Sequence, residues 1–389
     1  MNEPIVIIGG GFGGVYTAKA LLKKSYPVLL ISETNYFTFT PLLHEVATGS
    51  LLSHDVIFEY ETFFHHPAFE FVRGRVERID RAQKRVWVDG EEMSYRYLVV
   101  ATGSTTNFFK MQGTEHAYVL KDVEDAIKLK NAILSKAQDK DHHISVSVVG
   151  GGPTGVEIMF EVAEMLTSLR KKDPDLSFQL HLVHANEVLC GVDQASVQTY
   201  IHKAMEAVQI TPVCSAFCER ITPNQIVTTV GTFPSDVTIV ASGVKPNTSV
   251  FARDIILDEQ GHVPVTPELQ VVEDQHMFAL GDIIAIDGEP VPKLAQTATR
   301  EAVVVAENIH RMETKRSLRT YKPEVVGMLF SLGFGKGVGV INGITIKGVL
   351  AWWLWRTVYL FKTPGVVNKL RVAFSWTLGL FQSRNLTEL

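Results

Sequence analysis

Short apolar runs followed by glycine-rich turns recur along this chain and predict the buried strands of a parallel sheet. Residues 5–8 lead into the glycines of residues 9–14, and residues 146–149 lead in the same way into residues 150–155. Apolar residues at helical spacing and then a second apolar run follow each turn. Strands without an alternating polar face belong inside a sheet that helices cover on both sides. The pattern therefore predicts an α/β fold with two Rossmann-like domains, one from each copy.

The remaining pattern extends these two copies and adds a different C-terminal part. A strand that ends at Asp282 and a long helix from about residue 295 to 310 return the chain to the first domain. The predicted domains are the first part of one nucleotide domain (1–112), the second nucleotide domain (113–262), the rest of the first (263–320) and an aromatic C-terminal region (321–389).

Composition narrows the possible functions. The 389 residues are 46% hydrophobic, enough for a large core. A net charge of −5 argues against a nucleic-acid partner, which favours a basic face. Three cysteines favour a reducing compartment, and Cys214 and Cys218 are interpreted as unrelated thiols rather than a redox pair or metal site. We expect no metal, no secretory leader and no membrane-spanning helix.

The first glycine turn has the residues that a dinucleotide pyrophosphate requires. Gly9, Gly11 and Gly14 fit the spacing GxGxxG between a strand and a helix. The first glycine permits a tight turn, the second lets the backbone approach the phosphates, and the third lets helix and strand pack closely. Glu33 ends the next strand, where a carboxylate can bind ribose hydroxyls. The turn therefore predicts a dinucleotide site.

The second turn repeats the spacing, with a difference in the residues around it. Glu157 is expected in the first turn of the following helix, where it faces a cofactor. His184 is interpreted as the counterpart of Glu33. A histidine does not repel a 2′-phosphate as a glutamate does, and a protonated ring could bind one. Alternatively the ring bonds a 2′-hydroxyl or a backbone carbonyl, so NADH and NADPH both stay open.

Two dinucleotide sites in one chain indicate hydride transfer between a nicotinamide and a flavin. Flavin-linked disulfide reductases need a cysteine pair beside the flavin, and residues 36–49 contain none. Sulfide:quinone reductases need cysteines before the second glycine turn and late in the chain, whereas all three cysteines lie between 190 and 218. The expected acceptor is therefore a diffusible oxidant.

The chain resembles the type II NADH:quinone oxidoreductases, single-subunit flavoenzymes of respiratory membranes that pump no protons, over nearly its whole length. The resemblance lies in residues 36–49, residues 150–157, the pair Ala295-Gln296 and the tryptophan-rich residues 348–355. The last two stretches are the more specific, since glycine turns occur in many flavoproteins. The resemblance implies non-covalent FAD in the first domain, NADH or NADPH as hydride donor and a membrane quinone as acceptor.

The resemblance also implies roles for individual residues. On the FAD side we expect Gly9, Gly10, Gly11, Phe12, Gly13, Gly14, Glu33, Thr48, Val76, Ala101, Thr102, Gly103, Gly281, Asp282, Ala295, Gln296 and Lys347. On the NAD(P)H side we expect Gly150, Gly152, Pro153, Thr154, Gly155, Glu157, His184 and Gly243. The expected catalytic residues are Glu157, Gln296 and Arg300.

Four of these residues carry more specific expectations. Glu157 is expected to move or orient a proton, and Gln296 to face the quinone head group. The family usually repeats the glutamine one helical turn later, where this chain has Arg300. Arg300 either donates to a quinone carbonyl or pairs with a surface acid. Lys347 is a further candidate for the quinone entrance.

The C-terminal segment has the pattern of helices that lie in a membrane interface. Residues 349–361 are apolar and rich in tryptophan, but too short to span a bilayer. Apolar residues then repeat at helical spacing with basic residues nearby. The stripe is Val367, Leu370, Phe374, Leu378 and Phe381, and the basic residues are Lys362, Lys369, Arg371 and Arg384. We expect peripheral contact with the cytoplasmic face of the cell membrane through residues 349–389; the alternative is a helix pair packed on the core or on a second copy in a homodimer.

Other functions stay open on the sequence alone. They are an NADPH-preferring quinone reductase, a soluble NAD(P)H:ferredoxin-type reductase, and a flavin-containing signalling or scaffold protein. The aromatic C-terminal segment argues against the second, and the paired turns with Glu157 and Gln296 argue against the third.

Overall fold

The computed structural model describes residues 3–139, 141–248, 255–286, 291–324 and 327–379. The chain forms two compact units. Unit 1 contains residues 1–38, 58–105 and 244–325, and unit 2 contains residues 39–57, 106–243 and 326–389. This division differs from the predicted domains, because residues 39–57 and the C-terminal region belong to the unit of the second glycine turn.

Unit 1 is built around an eight-stranded sheet with the first predicted strand inside it. In sheet order the strands are Ile284–Ile286, Val263–Val265, Gln270–Val271, Asp274–Ala279, Tyr97–Val100, Ile5–Ile8, Val28–Ser32 and Phe69–Arg73. Strand Ile5–Ile8 pairs in parallel with both neighbours, and all its residues are buried. Helices Phe12–Leu22 and Ala295–Glu313 pack against each other.

Smaller elements complete the first unit and its borders. They are a meander of Val76–Asp80, Arg85–Val88 and Glu91–Ser94, the short helix Tyr60–Phe64, and the short strands Tyr36–Thr38, Ile57–Glu59, Ser104–Thr106 and Val244–Pro246.

Unit 2 contains a five-stranded sheet in which all strand pairs are parallel. In sheet order its strands are Ala117–Tyr118, Val237–Val240, His143–Val149, Ser177–Val183 and Ile210–Val213. Its helices are Leu43–Val46, Val123–Ala137, Pro153–Arg170, Ala195–Ala207, Val349–Lys362 and Val366–Gly379. Two three-stranded antiparallel sheets complete the unit, Cys218–Thr222 with Gln225–Thr228 and Gly231–Pro234, and Gly327–Ser331 with Gly337–Ile341 and Ile344–Gly348.

The predicted α/β fold with two Rossmann-like sheets is confirmed. The helix after the second turn begins at Pro153, because proline, which lacks an N–H, suits the first helical position. Helices Val349–Lys362 and Val366–Gly379 form a C-terminal helix pair. Among the described residues, no helix is both long and apolar enough to cross a bilayer.

Candidate active site

In the glycine turn of unit 1, the backbone leaves no room for a side chain at the first and third glycines. Gly9 has a φ of +106°, and a Cβ there would lie 2.3 Å from the Ala101 carbonyl oxygen. A Cβ on Gly14 would lie 1.9 Å from the Gly9 carbonyl oxygen. At Gly11, no heavy atom of the described chain lies within 4 Å of an added Cβ. A tight turn, a closely packed helix and an open middle position are what a pyrophosphate site needs.

The helix that follows this turn points its N-terminus at the open position. Its N-cap is Gly11, and no side chain within the described residues caps it. The first backbone N–H groups are therefore available to phosphate oxygens, and the helix dipole favours negative charge there. Tyr60 supports the turn, since its hydroxyl donates to the Gly10 carbonyl oxygen at 2.9 Å. Glu33 is exposed directly after strand Val28–Ser32, the place of a ribose-binding carboxylate.

Hydrogen bonds within unit 1 hold the segments around Thr102 and Asp282, two residues predicted on the FAD side. The Ser104 hydroxyl donates to the Asp282 carboxylate at 2.6 Å, and the Thr102 hydroxyl donates to the backbone carbonyl of Asn247 at 2.7 Å. Gly281 adopts a φ of +82° just before Asp282. Backbone donors at one turn and a carboxylate acceptor at the other fit the pyrophosphate and hydroxyl groups of FAD.

A buried glutamate that sequence reasoning missed supports this segment. Glu301 is fully buried on helix Ala295–Glu313, and its Oε2 accepts from the Gly281 N–H at 2.6 Å. Burial raises the pKa of Glu301 to about 7, although the Gly281 hydrogen bond lowers it. Its signal in the sequence was a glutamate among the apolar positions of that helix.

Gln296 and Arg300 lie one turn apart near the start of helix Ala295–Glu313, and both are half-buried. The Nη1 of Arg300 donates to the backbone carbonyl of Glu324. A backbone oxygen, rather than a surface acid, therefore holds the guanidinium. Its other N–H groups are separate donors with their own directions.

The glycine turn of unit 2 reproduces the geometry of the first. Gly150 has a φ of +122°, and a Cβ there would lie 2.2 Å from the Ala241 carbonyl oxygen. A Cβ on Gly155 would lie 1.8 Å from the Gly150 carbonyl oxygen. At Gly152, an added Cβ would again meet no described atom within 4 Å. This turn fits the pyrophosphate of a second dinucleotide.

The other residues predicted near this turn lie in the same unit. Pro153 and Thr154 are the first two residues of helix Pro153–Arg170. Gly243 follows strand Val237–Val240 with a φ of +125°, a conformation that favours glycine.

The sheet registers correct the equivalence predicted for His184. The residue before each glycine turn lies opposite a residue of the next strand, and these pairs are Ile8 with Ile31 and Val149 with Val183. One position further on, His184 therefore corresponds to Ser32, and Ala185 corresponds to Glu33. The predicted equivalence was wrong by one residue, because composition does not place the end of a strand that closely.

The imidazole of His184 belongs to the glycine turn. Its Nδ1 lies 3.0 Å from the Gly151 backbone nitrogen and accepts a hydrogen bond from that N–H. Burial lowers the pKa of His184, and a hydrogen bond with the Val188 backbone opposes that shift. The ring is therefore neutral near pH 7, which argues against the imidazolium that could bind a 2′-phosphate.

Glu157 lies deeper in its helix than predicted. It is the fifth residue of helix Pro153–Arg170, so it is not in the first turn, where the structure has no acidic residue among those described. Its buried Oε1 accepts from the Ser331 N–H at 3.1 Å and from the Trp355 Nε1–H at 3.0 Å. Burial raises the pKa of Glu157 to about 8, although both donors lower it. Because both donors reach Oε1, the neutral acid carries its proton on Oε2.

Two further glutamates on this helix hold distant segments of unit 2. Glu161 and Glu164 follow Glu157 at spacings of four and three residues, so all three share one helix face. Glu161 accepts from the Thr48 hydroxyl at 3.0 Å, and Glu164 accepts from the Phe334 N–H at 2.8 Å. This row was not predicted from the sequence, although its glutamates stand at helical spacing in an apolar stretch.

The C-terminal helix pair packs on unit 2 through its tryptophans. Trp355 is fully buried, and Trp352 and Trp376 are 8% and 5% exposed. The Arg356 guanidinium lies over the rings of Trp352 and Trp376, 4.0 and 4.9 Å from their centres. Three of the four tryptophans between residues 352 and 376 are therefore interior residues, which fits the alternative of a helix pair packed on the core.

The opposite face of the helix pair is apolar and exposed. Its residues are Val349, Leu350, Trp353, Phe361, Val366, Val367, Leu370, Phe374 and Leu378, which we call the outer face. The basic residues Lys362 and Arg371 are exposed beside it. The predicted stripe members Phe381 and Arg384 lie outside the described residues.

Three further residues predicted on the FAD side lie in the following local environments. Val76 is buried in the meander of unit 1, opposite Val88. Thr48 is buried in unit 2, where it bonds Glu161, and Lys347 is exposed on strand Ile344–Gly348 of unit 2. The glycine-turn residues, Glu33, Thr102 and Asp282 belong to unit 1, as does Val76.

The cysteines have the environment of structural thiols. Burial raises the pKa of Cys190, of Cys214 and, to about 11, of Cys218. Protonated thiols are poor nucleophiles, so these positions do not favour dithiol chemistry. In the described part of the chain, no cluster of His, Cys, Asp and Glu is arranged as a metal site.

Comparison with known proteins agrees with this geometry. Ferroptosis suppressor protein 1 of Taeniopygia guttata is 28% identical over 356 residues, which cover 89% of this chain and 90% of that protein. The type II NADH:quinone oxidoreductase of Haemophilus influenzae is 26% identical over 408 residues, which cover 91% of this chain and 92% of that protein. The structure of NDH2 from Plasmodium falciparum in complex with NADH has a TM-score of 0.90, with 19% identity and full coverage of both chains. Residues 3–302 match the pyridine nucleotide-disulphide oxidoreductases, and this chain therefore belongs to that family.

Proposed function

We propose that this chain is an FAD-dependent NADH:quinone oxidoreductase of type II, which reduces a membrane quinone by two electrons without pumping protons. One observation carries the proposal: each unit has a glycine turn that is closed at its first and third glycines and open at its second. Family membership and the likeness to the named relatives support it.

Unit 1 supplies the flavin-binding residues. FAD bound there would provide the two-electron step between nicotinamide and quinone. The helix N-terminus at Gly11 binds the pyrophosphate, and the Asp282 carboxylate, oriented by Ser104, accepts from hydroxyl groups. Gln296 and Arg300 offer amide and guanidinium donors for a quinone carbonyl from one helix face.

Unit 2 supplies the proton-handling residue. Quinone reduction takes up protons as well as electrons, and an acid with a pKa near the working pH transfers them best. Glu157, whose pKa is about 8, is mostly neutral at pH 7 and carries its proton on Oε2. We assign to Glu157 the delivery of a proton for quinone reduction.

Ala185 favours NADPH as a second substrate. A carboxylate at this place binds the ribose hydroxyls of NADH and repels the 2′-phosphate of NADPH, and alanine does neither. His184 beside it is neutral and bonded to the glycine turn, so it does not attract a phosphate. We expect this enzyme to use NADH and NADPH with similar efficiency.

The outer face of the C-terminal helix pair supports peripheral contact with the cytoplasmic face of the cell membrane. Exposed apolar residues with Lys362 and Arg371 beside them match an interfacial helix on anionic lipid. A quinone could then reach the protein without leaving the bilayer.

The test uses the purified full-length protein with its flavin measured by absorbance. We expect bound FAD and oxidation of NADH that requires a short-chain ubiquinone analogue and consumes one equivalent of it per NADH. If NADH oxidation does not depend on the quinone and requires ferredoxin, this proposal is wrong and the chain is a soluble ferredoxin-type reductase.

A further inference from the structure

A tryptophan of the C-terminal helix pair reaches the buried carboxylate of the nucleotide-binding helix. The Trp355 Nε1 lies 3.0 Å from Glu157 Oε1, and the indole ring is fully buried. The same helix, Val349–Lys362, exposes Leu350 and Trp353 on its other side. One helix therefore connects the outer face to Glu157.

The second helix of the pair also donates hydrogen bonds to buried carboxylates. The Trp376 Nε1 donates to the buried Glu45 carboxylate at 2.6 Å, and the Ser375 hydroxyl donates to the buried Asp55 carboxylate at 3.1 Å. Helix Val366–Gly379 also contributes much of the outer face. Both helices thus pair a buried hydrogen bond to a carboxylate with an exposed apolar side.

We propose that Trp355 is a positioning residue for Glu157, so that the packing of the C-terminal helix pair controls the proton-handling carboxylate. The proposal rests on the proposed function for the role of Glu157 in turnover. An indole N–H can only donate, and a donor favours the ionised carboxylate over the neutral acid. The hydrogen bond also fixes Oε1 and leaves Oε2 as the oxygen that exchanges the proton.

The other groups around Glu157 come from several elements of unit 2. The charges of Glu45 and Glu161 raise the pKa of Glu157, and the Ser331 N–H lowers it. Cys190 and Tyr359 also face this carboxylate: burial first, and then the charge of Glu157, raise the pKa of each. The Ser331 donor belongs to the backbone, so a substitution at Trp355 removes one of the two N–H bonds and retains the other.

The test is Trp355→Phe in the full-length protein, which keeps an apolar ring and removes the N–H. We expect an alkaline fall in quinone-dependent turnover near pH 8 in the parent, and we expect Trp355→Phe to move it up by about one pH unit. The matched control is Trp87→Phe in the meander of unit 1, which should leave the pH profile unchanged. In the Glu157→Gln background, Trp355→Phe should shift nothing.

A structural role alone predicts a different result. If Trp355→Phe lowers turnover by the same factor at every pH, or only lowers the melting temperature, Trp355 merely packs and the proposal is wrong. Infrared titration of the protonated carboxyl band, identified by its loss in Glu157→Gln, measures the same shift without turnover. The titration midpoint of that band could rise in Trp355→Phe even though the parent protein does not reduce quinone. That result would support the positioning role and reject the proposed function.

Discussion

At the scale of single residues, burial raises the pKa of two glutamates and so determines their protonation state. Glu157 and Glu301 share a buried setting on a helix, with pKa values raised to about 8 and about 7. Both accept N–H bonds that lower the pKa, yet desolvation of the charged form dominates. Both glutamates can therefore change protonation near neutral pH.

Glu157→Gln tests the proton-handling role directly. Loss of a general acid should lower quinone-dependent turnover on the order of 10²-fold while FAD stays bound. The parent's rate should fall as pH rises through about 8, where Glu157 loses its proton, and that limb should vanish in the variant. Steady-state kinetics across pH and flavin absorbance measure both effects. Unchanged turnover would remove Glu157 from the mechanism.

Ala185→Glu tests the coenzyme assignment. A carboxylate at the position that corresponds to Glu33 should lower kcat/KM for NADPH by roughly tenfold or more through repulsion of the 2′-phosphate. The value for NADH should stay equal or rise. Ala185→Gln is the control, since it has the same size without the charge. If the parent already rejects NADPH, discrimination comes from another residue.

The C-terminal helix pair has two faces with different roles at the scale of elements. Its inner face carries Trp355 and Trp376, which bond buried carboxylates of unit 2. Its outer face carries exposed apolar side chains with basic residues beside them. Deleting the pair would remove both faces at once, so substitutions confined to one face are needed to test the two proposed roles separately.

The double variant Leu370→Glu with Phe374→Glu tests membrane contact through the outer face. Both side chains are exposed, so folding and FAD content should not change. The two glutamate charges would have to enter the membrane interface, so co-sedimentation with anionic lipid vesicles should weaken by about tenfold or more. Val230→Glu, an equally exposed apolar position of unit 2, serves as the control. Equal sedimentation of all three proteins would place the membrane contact elsewhere.

The buried acids also determine how the stability of the whole molecule depends on pH. An acid whose folded pKa is raised contributes most stability below its unfolded value, and that contribution is lost as pH rises through the folded value. For Glu301 and Glu157 this window runs from their ordinary value of 4.5 up to about 7 and about 8. The folded state should therefore weaken as the pH rises from 4.5 to about 8.

Melting temperatures measured between about pH 4 and pH 9 check this linkage. We expect a decrease with rising pH that Glu301→Gln makes shallower, because glutamine carries no charge and can still accept from the Gly281 N–H. Glu91→Gln at an exposed position should keep the parent's slope. A slope that Glu301→Gln does not change would mean that other groups control the alkaline loss.

The sequence by itself determined the elements whose cause is local. Each glycine turn depends on residues within one short segment, so GxGxxG spacing between apolar runs predicted both Rossmann-like units. The helix with Gln296 and the apolar stripe through Leu370 were predictable for the same reason, since helical periodicity is a property of neighbouring residues.

Only the tertiary structure decided the relations between distant segments. The register of two strands, not their composition, placed Ala185 rather than His184 at the position of Glu33. Trp355 meets Glu157 across 198 residues of chain, and that contact turned a predicted membrane tryptophan into a donor to a buried acid. Burial and hydrogen-bond partners are set by the packing of the whole unit, and the chemistry of a carboxylate depends on both.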